Sequence, residues 1–278
     1  MTPDAWVERH PYLRDLARFS SRVETAAAQI PAPKLPIPGW DAQADESRAG
    51  VPLLQSSAAP IDFEPAGSMA VALVRSLAAD GLEGRPGEDV RDLDRQIRDS
   101  ASMPGRIAGW LLGDDAWSPA SPGLLRYLGW ISAARYLAPV VSACSARADG
   151  ETWMRAYCPV CGSPPSMAQL AGRDPGRRRL LACGRCRARW PFSRTACPFC
   201  DTDSQRLSSV TVQGEAGLRI DHCGACRGYL KTYDGEGNET LFLADWTSLH
   251  LDLIAVDRSF RRVAASLYEL PAASPVAP

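Results

Sequence analysis

Eight of the chain's nine cysteines fall into four Cys-x-x-Cys pairs, and all four pairs lie between Cys158 and Cys226. Two intervening residues let one tight turn present both sulfurs to a single ion about 2.3 Å from each, and a hairpin that brings up a second pair completes a tetrahedron. The competing use of paired cysteines, a disulfide framework, needs an oxidising compartment. The opening stretch MTPDAWVERHPYLRD carries acids and prolines where a secretory leader needs a basic start and an apolar run, and no segment approaches the roughly 18 apolar residues of a membrane span. The expected compartment is the cytoplasm, where thiols stay reduced and the pairs would hold metal. Reactive dithiols of the thioredoxin type are the other reading, but the βαβ setting they require is missing from the pattern.

The pairs belong to an internal repeat of about forty residues. Residues 158–187 read CPVCGSPPSMAQLAGRDPGRRRLLACGRCR and residues 197–227 read CPFCDTDSQRLSSVTVQGEAGLRIDHCGACR. Each copy has a cysteine knuckle, a strand-like run (166–171; 207–212), a glycine-containing turn (172–176; 214–217), a return strand (179–182; 218–221), a second knuckle and a further strand (189–192; 229–233). The repeat pairs Cys158, Cys161, Cys183 and Cys186 around one ion and Cys197, Cys200, Cys223 and Cys226 around another, although sequence alone permits two other pairings of the four knuckles. Four thiolates leave no open position for water, which disfavours metal hydrolysis, and such sites accept iron or zinc. Gly162 and Gly228 tolerate the positive φ that knuckle turns use; Asp201 stands where glycine would be easiest. A forty-residue hairpin buries little apolar surface, so metal binding should contribute to its folding.

The first 150 residues contain only Cys144, and that asymmetry marks a boundary. Helical periodicity runs through residues 11–23, 69–77, 90–101 and 123–138. A proline-rich connection over residues 31–65 is long enough to be mobile or to wrap the helices, and Leu35, Ile37, Trp40 and Leu54 favour wrapping. GLEGRPGE at residues 81–88 reads as a loop rather than a nucleotide fingerprint. After the cysteines, Leu243, Trp246, Leu249, Leu253 and Val256 recur at helical steps within residues 241–270. The expected architecture is α+β: an all-helical domain (1–150), two tandem rubredoxin-like or zinc-ribbon units (151–194 and 195–235), and a C-terminal helix with its tail (236–278).

Net charge is -1, which gives no overall attraction to nucleic acid or anionic membrane. One local patch, Arg173, Arg177, Arg178, Arg179, Arg185, Arg187, Arg189 and Arg194 against Asp174, could meet phosphate or an acidic protein surface, with Trp190 and Phe192 as stacking candidates. Part of that charge offsets a doubly negative metal tetrathiolate. Cys144 reads as a small buried hydrophobe. His222 precedes Cys223 but faces a site already supplied with four sulfurs, and His10 and His250 have no carboxylate or cysteine cluster beside them in sequence. No Ser-His-Asp order, phosphate loop or acid pair emerges, so no catalytic residue is assigned.

The motifs YCPVCGSPP (157–165), LACGRCRARWPFSRTACPFC (181–200), HCGACRGYLKTYD (222–234) and ADWTSLHLDLIA (244–255) together resemble the formate dehydrogenase accessory protein family, the FdhE family. HPYLRDLARF (10–19) is similar to the family's opening, so the resemblance spans nearly the whole chain. It implies a non-enzymatic, cytoplasmic maturation factor that binds the catalytic subunit of a respiratory formate dehydrogenase and is needed for its activity. It also implies rubredoxin-like sites on the eight paired cysteines that can hold iron. Two other readings are a nucleic-acid-binding zinc-ribbon protein using the arginine patch, and a rubredoxin-like electron-transfer or thiol-redox protein.

Overall fold

The computed structural model describes residues 1–37, 39–98, 100–147, 153–173, 175–202, 204–215, 217–264 and 266–267. Pro38, Asp99, Asp174, the side chain of Trp40, the expected boundary near residue 150 and the end of the expected C-terminal helix (268–270) lie outside the described residues.

The helical half is built around α4 (Glu64–Ala79), whose Ala66, Met69, Ala70, Leu73, Val74 and Leu77 are all buried. Around it pack α2 (Arg14–Gln29), α5 (Gly84–Ile97), α6 (Met103–Leu112) and α7 (Pro122–Arg147). Gly67 permits a close approach: a Cβ there would lie 2.0 Å from the Pro104 carbonyl oxygen at the start of α6. Three helices escaped the periodicity. α1 (Pro3–Arg9) is seven residues long, with the Thr2 hydroxyl capping Ala5 N–H at 3.3 Å. α3 (Trp40–Ala49) and α6 stop at left-handed Gly50 and Gly113.

The expected loop at residues 81–88 is half helix, because α5 already starts at Gly84. Pro86 stands in its first turn, where N–H groups have no intrahelical partner to lose. On α5, Val90, Leu93 and Ile97 face inward while Arg95 pairs with Asp92 and Arg98 with Asp94.

The proline-rich connection wraps. Leu35 and Leu53 are buried, and the 3-10 turn Leu53–Gln55 sends the N–H groups of Leu53 and Leu54 to the carbonyls of Pro159 and Val160, each at 2.9 Å. It thereby lies against the first cysteine knuckle.

The cysteine half forms one sheet from both repeat copies. β1 (Met167–Ala171), β2 (Arg178–Ala182) and β3 (Arg189–Phe192) make the first antiparallel ribbon; β4 (Leu207–Thr211), β5 (Leu218–Cys223) and β6 (Gly228–Asp234) make the second. They join through a parallel pairing of β1 with β6, giving the order β3-β2-β1-β6-β5-β4. The seam strand β1 is buried throughout and β6 nearly so, as expected for strands covered on both faces, whereas the edge strand β4 is largely exposed.

The single C-terminal helix expected over 241–270 is broken. A short α8 (Glu239–Phe242) gives way to a 3-10 turn (Asp245–Ser248), then α9 (Leu249–Asp257), and β7 (Arg261–Arg262) returns in parallel to the start of β6. The break has a local cause: the Thr247 hydroxyl donates back to the carbonyls of Leu241 and Ala244 at 3.0 and 2.8 Å.

Two apolar cores result. The larger unites the helical bundle with the first ribbon through Trp130, Trp153, Trp190, Cys158, Cys183 and Cys186. The smaller holds the second ribbon's Leu218, Ile220, Tyr229 and Tyr233 against Trp6 and Leu13 from the N-terminus and Phe242, Trp246 and Leu251 from the C-terminal segment. The N-terminal helix α1 therefore packs with the second ribbon, helped by a Trp6 Nε1–H bond to the Thr247 carbonyl at 3.0 Å.

Candidate metal centres

The four knuckles share one backbone design. The residue after each second cysteine is left-handed: Gly162 (φ 73°), Arg187 (φ 63°), Asp201 (φ 57°) and Arg227 (φ 61°). In three of them the first cysteine's N–H donates to the carbonyl five residues on, Cys158 to Ser163, Cys183 to Ala188 and Cys197 to Thr202, at 2.8 to 2.9 Å. The expectation for Gly228 is corrected: Arg227 carries the positive φ, and Gly228 is needed for room, since a Cβ there would meet Phe199 Cδ2 at 2.8 Å.

These turns gather the eight sulfurs into two groups, Cys158 with Cys161, Cys183 and Cys186, and Cys197 with Cys200, Cys223 and Cys226. Cross-knuckle Sγ···Sγ distances are 3.4 Å in the first (Cys158–Cys186, Cys161–Cys183) and 3.8 Å in the second (Cys197–Cys226, Cys200–Cys223). A tetrahedron with metal–sulfur bonds of about 2.3 Å has edges of about 3.8 Å, so each donor set fits one ion. Backbone N–H groups of Arg185, Phe199 and Gly228 point at Cys183, Cys197 and Cys226 sulfurs at 3.4 Å. Hydroxyls repeat too, with Ser163 Oγ 3.3 Å from Cys161 and Thr202 Oγ1 3.2 Å from Cys200. Such donors stabilise thiolate and tune a bound metal.

The thiols do not ionise alike on their own. Burial pushes Cys197 up to about 12, while the Thr202 hydroxyl and backbone bring Cys200 down to about 6. In the first group burial raises Cys158, and neighbouring thiols, Cys158 foremost, raise Cys186 and lower Cys161. Four thiolates at these separations need a cation among them.

The surroundings of the two groups differ. Cys158, Cys183 and Cys186 are embedded in the main core, roofed by residues 52–55. In the second group Cys200 is exposed and Cys226 half-buried. His222 is not among the sulfurs' partners; it stacks on Phe260 at 4.1 Å, and burial together with nearby Arg227 lowers its pKa. Cys144 is half-buried against the main core rather than fully enclosed.

The arginine patch is largely consumed inside the chain. Arg177 pairs with Asp234, Arg187 with Glu24, Arg189 donates to Gln169 at 2.8 Å, and Arg179 to the Ala196 carbonyl at 3.2 Å. Arg185 lies over the Trp130 ring, and Trp190 and Phe192 are buried, so neither ring offers a face to a base.

Sequence reasoning missed what the Tyr-Leu-Lys and Asp-Trp-Thr-Ser-Leu-His-Leu-Asp motifs do. Fully buried Lys231 on β6 bonds Asp245 and Asp252 at 2.6 Å each; Arg262 of β7 reaches Asp245 at 2.8 Å and Asp252 at 3.0 Å, and Tyr229 donates to Asp252 at 2.7 Å. Two acids and two bases close a neutral network that ties the second ribbon to the C-terminal segment. Burial alone would raise the Asp245 carboxyl, but Lys231 and Arg262 hold it well below the usual range. An unpaired lysine inside a strand motif was the only signal in the sequence. A third cluster, His10, Glu215 and His250, was also missed, because the three are neighbours only in space.

Fold and site together define a helical bundle joined to a fused pair of four-cysteine ribbons. No protein-family model matches the chain. A protein named FdhE homolog from Pseudomonas aeruginosa is 30% identical over 131 residues, 44% of this chain and 42% of that one. Another of the same name from Aquifex aeolicus is 31% identical over 134 residues, 46% and 47% of the two chains. The chain thus spans less than half the length of the curated relatives it matches. The crystal structure of the FdhE protein from Pseudomonas aeruginosa shares the fold, with a TM-score of 0.65, 24% identity, and coverage of 96% of this chain and 93% of that one. These similarities are to proteins named FdhE homolog in part of the sequence and to an FdhE protein in fold.

Proposed function

We propose that this chain is a non-catalytic accessory protein of the cytoplasm that binds the catalytic subunit of a formate dehydrogenase during maturation. One ion of iron or zinc is held by Cys158, Cys161, Cys183 and Cys186, and a second by Cys197, Cys200, Cys223 and Cys226. The carrying observation is the presence of two four-thiol groups, each with its sulfurs within 4.8 Å of one another, on a fold shared with an FdhE protein. A closed set of four thiolates offers no place for a substrate, so the ions serve as scaffold or redox sensor. The helical domain (1–150), the two ribbons (151–194 and 195–235) and the C-terminal segment (236–278) form the client platform. Among the described residues no helix is long and apolar enough to cross a membrane.

Deleting the gene in its host should abolish formate dehydrogenase activity, and the tagged protein should co-purify the catalytic subunit; unchanged activity in the deletion strain would end this reading. Metal analysis with an absorption spectrum of anaerobically purified protein should give at least two ions per chain. Zinc alone would remove the electron-transfer alternative.

A further inference from the structure

Where the N-terminus meets the second ribbon, three side chains from distant parts of the chain converge. His10 follows α1, Glu215 lies in the β4–β5 turn, and His250 sits on the first turn of α9. His10 Nε2 is 2.7 Å and His250 Nε2 3.1 Å from the same oxygen, Glu215 Oε1. All three side chains are largely buried, at 8%, 14% and 9% exposure for His10, His250 and Glu215. Tyr12 closes one side with its ring edge-on to both imidazoles, 5.8 and 5.9 Å away, and is itself exposed.

The hydrogen bonds leave this cluster short of a cation. His10 Nδ1 is 3.0 Å from the Trp6 carbonyl, an acceptor only, so Nδ1 carries the hydrogen. In the neutral ring Nε2 then presents a lone pair to a carboxylate oxygen at 2.7 Å, two electron pairs facing each other. His250 approaches the same oxygen without hydrogen-bond alignment, and both its ring nitrogens, like Glu215 Oε2, are buried without a hydrogen-bond partner. The neighbouring buried cation, Lys231, is engaged by Asp245 and Asp252. A histidine whose far N–H is fixed by a backbone carbonyl while its other nitrogen faces a carboxylate and a second histidine has the arrangement that metal-binding histidines use.

We propose that His10, Glu215 and His250 bind a divalent first-row transition ion, a third metal site separate from the two cysteine groups. Its two imidazoles and one carboxylate suit zinc, iron(II) or manganese(II), and three protein ligands leave a coordination position open toward Tyr12 and solvent. The ion would clamp the N-terminal segment to the second ribbon and α9. The rival resolution is a proton, with His10 as imidazolium ion-paired to Glu215, and it predicts no metal uptake.

The test uses full-length protein with its cysteine groups loaded with zinc, dialysed and then titrated with Zn2+ against a chromophoric chelator. Wild type should take up one ion per chain more than Glu215→Gln and His250→Ala, whatever the cysteine groups hold. Both variants should keep the wild-type circular dichroism. Titration with Co2+ should add ligand-field bands without new sulfur-to-metal charge transfer. No extra ion in the wild type, or equal uptake by wild type and both variants, would overturn the proposal. Either result would leave the cysteine-site reading untouched, because only the difference of one ion is measured.

Discussion

The first and second four-thiol groups come from one repeated unit and share backbone turns, N–H···S contacts and hydroxyl neighbours, yet they sit in different surroundings. The first shares a core with the helical bundle and is roofed by the proline-rich connection. The second has an exposed Cys200, and its ribbon depends on chain ends packed against it: α1 from the N-terminus, and α9 and β7 from the C-terminal segment. Equal donor sets in unequal packing mean that a bound metal and the core would stabilise the first group jointly, whereas the second would rely more on its ion and on the Lys231 network.

The strongest way to break this comparison is to remove one sulfur from each group. Cys183→Ser should abolish soluble folded protein, because structural metal binding in small domains is worth on the order of 10 kcal/mol and the lost group lies inside the main core. Cys200→Ser should leave a soluble chain with a native-like helical half and one ion fewer. Soluble yield and metal content read both, and equal behaviour would end the asymmetry.

A smaller effect is expected from Lys231→Met, which leaves Asp245 and Asp252 facing Arg262 alone. Breaking a buried ionic network costs about 3–5 kcal/mol. Hydrogen exchange should show the loss over β5, β6 and α9 while α4 and α7 keep their protection; uniform loss would show that the two cores are not separable.

Asp245→Asn should be milder and pH-dependent. The Asp245 carboxyl is held below its unfolded value by Lys231 and Arg262, so its stabilisation is present above about pH 4 and is lost as pH falls through the depressed folded pKa. The difference in urea midpoint between wild type and variant should be constant from pH 7 to 5 and shrink below about pH 4. The smallest change is Asp201→Gly, which relieves a left-handed Asp at the exposed knuckle and should stabilise by a few tenths to about 1 kcal/mol by thermal melting. A loss would point to a role for the Asp201 side chain at the second group.

Much of the metal half was legible from the repeat. The six ribbon strands lie within a residue or two of their expected positions, because knuckle, turn and strand signals are local and occur twice. The helical half was less legible: α1, α3 and α6 are short, and the amphipathic stripe that marks longer helices has little length in which to repeat. The C-terminal run looked like one helix because periodicity registers neither a hydroxyl that turns back on the preceding carbonyls, as Thr247 does, nor acids recruited by partners elsewhere, as Asp245 and Asp252 are.

The sequence by itself determined the four knuckles, their duplication and the two ribbons, since each is set by residues within about thirty positions of one another. Only the tertiary structure decided that β1 and β6 fuse the ribbons into one sheet, that residues 52–55 cover one thiol group and leave the other open, and that Lys231 is neutralised from α9 and the 3-10 turn before it. It alone brought His10 to Glu215 and His250. The physical reason is the same throughout: pairing, burial and charge neutralisation between distant segments depend on where the whole chain packs, and no local pattern records it.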